Sequence, residues 1–193
     1  VFSHVRFGKL VWSPTIPKGE ADYLIALEWA EGLRWLDFLR PDTGVFICDT
    51  KQIVPPFSCR DRRPGAALGY VRETVSEVID RVAEGYAIDA TTMAEQLGND
   101  RVGNVVLLGA LSAALKFPES QWEKIVADFV PKKTIAVNIE ALRQGRRWIE
   151  EARQGLQQPA SVPVPSSPTQ ADYRVRLEIT PQWCKSCDIC VKV

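Results

Sequence analysis

The stretch that determines the fold class is "ADYLIALEWAEGLRWLDFLRPDTGVFICDT", from Ala21 to Thr50. It contains two nearly continuous apolar runs, "ADYLIALE" (21–28) and "TGVFICDT" (43–50), which are typical of strands buried on both faces of a parallel sheet. Between them, leucines recur at helical spacing, and Pro41 prevents the helix from continuing. The stretch therefore predicts a strand, a helix and a second strand.

The same alternation continues downstream. A helix with one apolar face is predicted from Val75 to Glu84, followed by a third strand, "YAIDAT" (86–91). Four further helices are expected to cover the sheet: one ending near Gly98 and others over 102–115, 119–130 and 134–155. At the beginning, "VFSHVRFGKLV" (1–11) predicts two short strands joined at Gly8. Together these elements predict an α/β domain over residues 1–155, in which helices cover a mostly parallel sheet in three layers.

Composition excludes several classes of partner. Of the 193 residues, 46% are apolar, and Lys plus Arg equal Asp plus Glu at 24 each. No excess of positive charge is available to attract nucleic acid or an anionic membrane, so neither partner is expected. The apolar uncharged run Val102–Leu115 is too short to cross a bilayer. With no export signal visible and five cysteines, the sequence predicts a cytoplasmic protein.

The end of the sequence predicts a second unit. Residues 156–171 have linker composition, because "QQPASVPVPSSPTQ" (157–170) contains four prolines and no charge. After a short alternating strand over 173–180, Cys184, Cys187 and Cys190 are spaced C-x2-C-x2-C. Soft thiolates at this spacing are typical of an iron–sulfur cluster, with a zinc knuckle as the alternative.

These cysteines also bear on the extent of the sequence. The bacterial ferredoxin pattern would place a fourth cysteine immediately after Val193. We therefore expect the chain to be a piece of a longer protein that supplies three ligands of four. Residues 172–193 would be the start of a ferredoxin-like module.

The remaining candidate residues have simpler interpretations. Cys48 and Cys59 are predicted to be ordinary small thiols rather than ligands. His4, the only histidine, is predicted to be a satisfied structural residue on a strand, with a contact to substrate or a partner subunit as the alternative. The run "CRDRR" (59–63) is predicted to be a solvated loop, and anion binding is its alternative.

Asn104 lies in an apolar helical run beside Gly103. There it should bond a neighbouring loop or subunit, or else face the entrance to a ligand site. Standard nucleotide-binding, hydrolase and metalloprotease motifs are absent from the sequence, so we expect no catalytic residue acting by itself.

Several stretches carry a family resemblance: "SHVRFG" (3–8), "SPTIPKGEADYLIALE" (13–28), "IVPP" (53–56), "AEQLGNDRVGNVVLLGAL" (94–111) and "VPKKTIAVNIEALRQGR" (130–146). The most specific piece is "GNDRVGNVVLLGA", from Gly98 to Ala110. Over about residues 1–150 the chain resembles the γ-type domain of 2-oxoacid:ferredoxin oxidoreductases, and in particular the β subunits of indolepyruvate ferredoxin oxidoreductases. That family's opening G-G-x-G loop has no counterpart here, so we expect the N-terminal part of the domain to be missing.

The resemblance implies a reaction, cofactors and partners. An aryl 2-oxoacid would be decarboxylated with thiamine diphosphate and CoA to an acyl-CoA, and electrons would pass through [4Fe–4S] clusters to ferredoxin. Thiamine diphosphate and CoA would be bound mainly by other subunits or domains, which makes a thiamine-binding subunit, ferredoxin and a small 2-oxoacid the expected partners. The alternatives are a pyruvate or branched-chain 2-oxoacid enzyme and a non-catalytic scaffold with a zinc-binding tail.

Overall fold

The computed structural model describes residues 2–51, 75–115 and 117–160. A sheet of three parallel strands, in the spatial order of the sequence, lies at its centre: β1 (Tyr23–Ala26), β2 (Val45–Asp49) and β3 (Glu84–Ile88). The helices are α1 (Trp29–Trp35), α2 (Val75–Ile79), α3 (Ala90–Gln96), α4 (Gly103–Ala114), α5 (Glu119–Phe129) and α6 (Ile135–Arg153). The predicted α/β fold class is confirmed.

The central strand β2 separates two apolar cores. All five of its residues are buried, and successive side chains of a strand point to opposite faces. Val45 and Ile47 join a core with residues of α3, α4, α5 and α6, whereas Phe46 and Cys48 join a core with residues of α1 and α2. Helices therefore cover both faces of the sheet, and the predicted three layers are confirmed.

The strand β1 is less buried than its sequence predicted. Tyr23 is 37% exposed, and of the four residues of β1 only Ala26 is buried. Within the described residues β1 pairs only with β2, so it is an edge strand. An apolar run indicates the strand but not its place in the sheet, which is why the expectation of burial on both faces was wrong.

Helices α4 and α6 pack with their backbones in close approach. A Cβ on Gly109 would overlap the carbonyl oxygen of Leu142, and one on Gly145 would overlap that of Val106. Only glycine fits at either position, and each lies on the buried face of its helix. The predicted buried helix over 102–115 is confirmed as α4.

The N-terminal segment is not the predicted pair of strands. Residues 2–12 have no regular secondary structure. Their contacts are made by side chains instead: the rings of Phe2 and Trp35 are 4.0 Å apart, and Arg6 Nη1 donates to the carbonyl oxygen of Thr15 at 2.8 Å. Apolar alternation alone does not provide a neighbouring strand, and none pairs with this segment in the described part of the chain.

Two predicted boundaries also shift. The second helix ends at Ile79 rather than Glu84, and β3 begins at Glu84 rather than Tyr86. A Cβ on Gly85 would lie 2.5 Å from Ile79 Cδ1, so the short helix packs directly on the strand at its glycine.

Among the described helices, none is both long and apolar enough to span a membrane.

Candidate functional site

Each of the three strands has an acidic residue at its carboxyl end or within two residues beyond it. Asp49 is the last residue of β2, Glu28 lies two residues beyond β1, and Asp89 follows β3 directly. The strands are parallel and in register, so these three side chains start from the same carboxyl edge of the sheet. Ligands of open α/β sheets bind at this edge. We therefore take it as the candidate site.

Asp49 is the most buried of the three carboxylates, with 4% of its surface exposed. Its Oδ1 accepts from the backbone N–H of Lys51 at 3.1 Å, and its Oδ2 accepts from Thr91 Oγ1 at 3.0 Å. Burial raises the pKa of Asp49 despite these two hydrogen bonds, and the negative charge of Asp89 raises it further. The site therefore contains a carboxyl group that takes up a proton more readily than an ordinary aspartate.

The other two carboxylates cap helices. Glu28 Oε2 accepts from the backbone N–H of Glu31 at 2.7 Å at the start of α1, and Asp89 Oδ1 accepts from that of Thr92 at 3.0 Å at the start of α3. Capping satisfies amide groups that have no partner within the helix. These two acids therefore stabilise the first turns of α1 and α3, the helices that begin at this edge. Asp49 is the acid of the three that caps no helix.

The amino end of α4 lies beside this edge. A Cβ on Gly103 would be 3.4 Å from the carbonyl oxygen of Ala90, the first residue of α3. Before α4, Gly98 has φ +78° and the side chain of Asn99 accepts from the backbone N–H of Arg101 at 3.1 Å. The most specific family motif of the sequence therefore forms the turn that brings α4 to the candidate site.

Asn104, in the first turn of α4, is exposed. The predicted bond to a neighbouring loop or subunit therefore stays a prediction. The amino end of α4 rests on α3 on one side and is open to solvent on the other. Water can therefore hydrogen-bond to the side-chain amide of Asn104. Its position beside the carboxyl edge is compatible with the second interpretation, a place at a ligand entrance, which stays a prediction.

Cys48 is buried next to the site but is not a ligand. Its Sγ donates to the carbonyl oxygen of Asp49 at 3.2 Å, and its surface is fully buried. Burial, together with the charges of Asp49 and Glu28, raises the pKa of the thiol well above its ordinary value. A thiol that stays protonated is a poor metal ligand, so the prediction of a small buried thiol is confirmed.

His4 is a satisfied structural residue, as predicted, although it does not lie on a strand. Its Nδ1 accepts from the backbone N–H of Ile16 at 2.9 Å, and its ring is 5.7 Å from that of Phe38. This hydrogen bond and ring contact tie the N-terminal segment to the domain.

The described residues do not fit an iron–sulfur cluster. No group of three His, Cys, Asp or Glu side chains there could hold a metal ion, and Cys48 is the one cysteine among them. The candidate ligands Cys184, Cys187 and Cys190 lie outside the described residues, as do Cys59, the run 59–63, the predicted strand over 173–180 and most of the linker.

Comparison with known proteins gives a consistent family. The model of a family described as "Pyruvate ferredoxin/flavodoxin oxidoreductase" matches residues 1–148. The protein named indolepyruvate oxidoreductase subunit IorB from Thermococcus kodakarensis is 33% identical over 153 residues, which cover 78% of this chain and 74% of that protein. Proteins of the same name from Archaeoglobus fulgidus (33% identity; 74% and 69% covered) and Pyrococcus horikoshii (30%; 78% and 74%) are also similar.

One solved structure is similar as well. It is the γ subunit of a keto/oxoacid ferredoxin oxidoreductase from Geobacter sulfurreducens, at 21% identity and a TM-score of 0.44. The match covers 69% of this chain and 64% of that one.

Proposed function

Because the chain belongs to the pyruvate ferredoxin/flavodoxin oxidoreductase family, we propose that it is a subunit of an enzyme that oxidatively decarboxylates indolepyruvate. The observation that carries this proposal is the family match over residues 1–148, together with relatives at 30–33% identity that are named indolepyruvate oxidoreductase subunits. The substrate comes from the names of those relatives.

The proposed reaction consumes one indolepyruvate and one CoA. The bond from the carbonyl carbon to the carboxylate breaks and CO2 leaves. The same carbon bonds to the CoA sulfur, whose S–H bond breaks and releases a proton to solvent. Two electrons leave with this oxidation, and two ferredoxins, each a one-electron acceptor, take them. When bound in the complex, thiamine diphosphate supplies the electron sink that loss of CO2 requires.

This chain would not hold the thiamine diphosphate itself, and its partner would be a thiamine-binding subunit. In the family that the sequence resembles, this cofactor is bound mainly by other subunits or domains. We assign to the described residues the wall of the substrate entrance, at the carboxyl edge of the sheet. There Asp49 Oδ2 accepts a hydrogen bond from Thr91 Oγ1, and the exposed amide of Asn104 is available to a polar group.

The electron-transfer part of the proposal rests on the tail. Cys184, Cys187 and Cys190 would ligate one [4Fe–4S] cluster in a ferredoxin-like module over 172–193, joined by a linker over 156–171 to the domain over 1–155. Thiolates at C-x2-C-x2-C spacing support iron–sulfur ligation. A reducing cytoplasm, where thiols stay free, is the compartment in which such a site would form.

The test is to purify the protein anaerobically with its thiamine-binding subunit and to measure ferredoxin reduction with CoA and each of three substrates. We expect kcat/KM to be highest for indolepyruvate, lower for a branched-chain 2-oxoacid and lowest for pyruvate. A preference for pyruvate would refute the substrate assignment. A colourless protein that contains zinc and reduces no ferredoxin would refute the oxidoreductase role of the tail.

A further inference from the structure

Helix α5 carries exposed apolar residues on the side that faces away from the core. Val126 is buried in the core and Trp122 packs against it, whereas Ile125 and Phe129, one turn apart on the outer side, are 50% and 86% exposed. The apolar surface continues past the amino end of the helix, where the ring of Phe117 lies 6.3 Å from that of Trp122. Exposed apolar side chains grouped in this way are typical of an interaction surface. We call Ile125 and Phe129 the α5 ridge.

Two opposite charges lie beside the α5 ridge. Lys124 and Asp128 are both exposed, and helical spacing places them on the same side of the ridge. Neither forms an ion pair in the part of the chain that the structure describes, in contrast to Glu123, which binds Arg143 at 2.7 Å. The order of Lys before Asp is the less favourable one for an ion pair within a helix. Both charges are therefore available to a group outside the chain.

These charges are complementary to those of a second copy of α5 that runs in the opposite direction. In a parallel pair of helices, Lys124 would instead lie beside Lys124 of the other copy. A two-fold axis that sets Ile125 opposite Phe129 passes the helices at residue 127 and keeps the same side of both helices adjacent. Lys124 then lies two residues, or about 3 Å along the helix, from Asp128 of the other copy. The apolar contact and the charged contact each occur twice.

The two ends of α5 favour the same antiparallel arrangement. Glu119 is the first residue of the helix, and Lys132 and Lys133 follow its end in a short turn, where both are exposed. Antiparallel pairing brings the acidic beginning of one helix towards the basic end of the other. It also sets the two helix dipoles in opposite directions, which is their favourable arrangement.

We propose that two copies of this chain associate through α5 as an antiparallel helix pair, with Ile125 of each copy against Phe129 of the other. A second copy is the occupant that the α5 ridge fits, because its apolar residues and its charges both match. The helix has 11 residues and is about 16 Å long, so the interface is small and the dimer is weak, with a Kd in the micromolar range. The proposal goes beyond the proposed function and does not depend on it.

Sedimentation velocity of the full chain tests the association. A reducing agent and a chelator are present, so that neither disulfides nor metal ions link the chains. We expect the sedimentation coefficient to rise from that of a monomer to that of a dimer across the micromolar range. Phe129→Asp should raise the Kd at least about tenfold, because it places a charge in the apolar contact. Leu27→Asp is the control, since Leu27 is 60% exposed just beyond β1, and it should leave the Kd unchanged.

A pair of charge reversals tests the antiparallel register. Lys124→Asp and Asp128→Lys each bring like charges together in the dimer, so each should raise the Kd about threefold or more. Mixed in equal amounts, the two variants should bind each other more tightly than either binds itself, because every charged contact between them is then of opposite sign. The replaced side chains are exposed, so the variants should fold like the parent chain, which circular dichroism checks.

Three results would overturn the proposal. They are a parent chain that stays monomeric across the micromolar range, a dimer that is insensitive to Phe129→Asp, and charge variants that associate no better when mixed. If the parent chain is monomeric and Phe129→Asp weakens binding of a thiamine-binding subunit, the α5 ridge belongs to that subunit instead. Association is measured without substrate, so a failure to oxidise indolepyruvate would refute the proposed function and leave these results unchanged.

Discussion

At the scale of single residues, three acids in similar positions have different roles because of what surrounds them. Glu28 and Asp89 accept hydrogen bonds from helix amides. Asp49, at the end of β2, is buried and accepts a hydrogen bond from the hydroxyl group of Thr91. Capping a helix favours the charged form of a carboxylate, and burial opposes it. Asp49 therefore combines burial with a raised pKa.

Replacing Asp49 with Asn tests that difference. The pKa of Asp49 is higher in the folded protein than in the unfolded chain, so its bound proton stabilises the folded state. This contribution is complete below the ordinary pKa of 3.8 and is lost as pH rises through the higher pKa of the folded protein. The asparagine side chain does not titrate, so the variant lacks this loss of stability, and its amide can still form hydrogen bonds with Lys51 and Thr91. We expect the Asp49→Asn variant to be at least as stable as the parent at pH 7, with the difference vanishing near pH 3, by urea denaturation. A variant less stable at pH 7 would contradict the raised pKa.

Arg153 should contribute to stability in the opposite pH direction. Burial opposes ionisation of Glu84, but hydrogen bonds from Tyr86 and Arg153 hold the pKa of this carboxyl below 4.5. Its stabilising contribution is therefore present above pH 4.5 and lost as pH falls through the folded pKa. Replacing Arg153 with Met should cost about 1 kcal/mol at pH 7, a small value because both side chains are partly exposed, and less in acid.

The control for this prediction is Arg143 on the same helix. It pairs with Glu123 at 2.7 Å on the surface, so replacing it with Met removes the same charge and one ion pair. Its effect should be smaller than that of the Arg153 change, and both are measured by urea denaturation across pH. Equal effects of the two changes would show that the bonds from Arg153 to Glu84, Tyr86 and the Ala113 carbonyl add nothing.

At the scale of elements, the sequence predicted the buried pieces best. The apolar runs over β2 and α4 were predicted as a buried strand and a buried helix, and both contribute to the core. Residues 2–12 are equally apolar but contact the rings of Trp35 and Phe117 instead of a strand. Strand pairing depends on residues distant in the sequence, and local alternation does not contain that information.

The crossing of α4 and α6 gives a prediction at this scale. Replacing Gly109 or Gly145 with Ala should lower the free energy of unfolding by at least about 2 kcal/mol, because the new methyl group meets a backbone carbonyl that cannot move alone. Gly103 on α4 is the control, since a Cβ there makes an ordinary contact of 3.4 Å with Ala90. The Gly103→Ala change should be neutral, or stabilising by up to about 1 kcal/mol. Thermal unfolding of the three variants would measure both effects, and equal losses would contradict the close crossing.

At the scale of the whole molecule, the sequence indicated the family but missed the candidate site. Its motif from Gly98 to Ala110 was recognised, yet its position beside Glu28, Asp49 and Asp89 follows from three strands ending at one edge. A signal for the site was present, because each predicted strand contains an acid among its last three residues. It becomes informative only when the strands are known to be parallel and adjacent.

The proposed division of the molecule into a domain and a cysteine tail leads to the last prediction. Replacing Cys184, Cys187 or Cys190 with Ser in the assembled enzyme should reduce its iron content and slow ferredoxin reduction at least tenfold, since one thiolate of the cluster is lost. Binding of the 2-oxoacid should change little, because the described domain contains no part of such a cluster. Replacing Cys48 with Ala is the control, since that thiol is buried and protonated and should affect stability alone. If all three tail variants kept their iron and their rate of ferredoxin reduction, the tail would have no part in electron transfer, and the contribution of this chain would be limited to the carboxyl edge of its sheet.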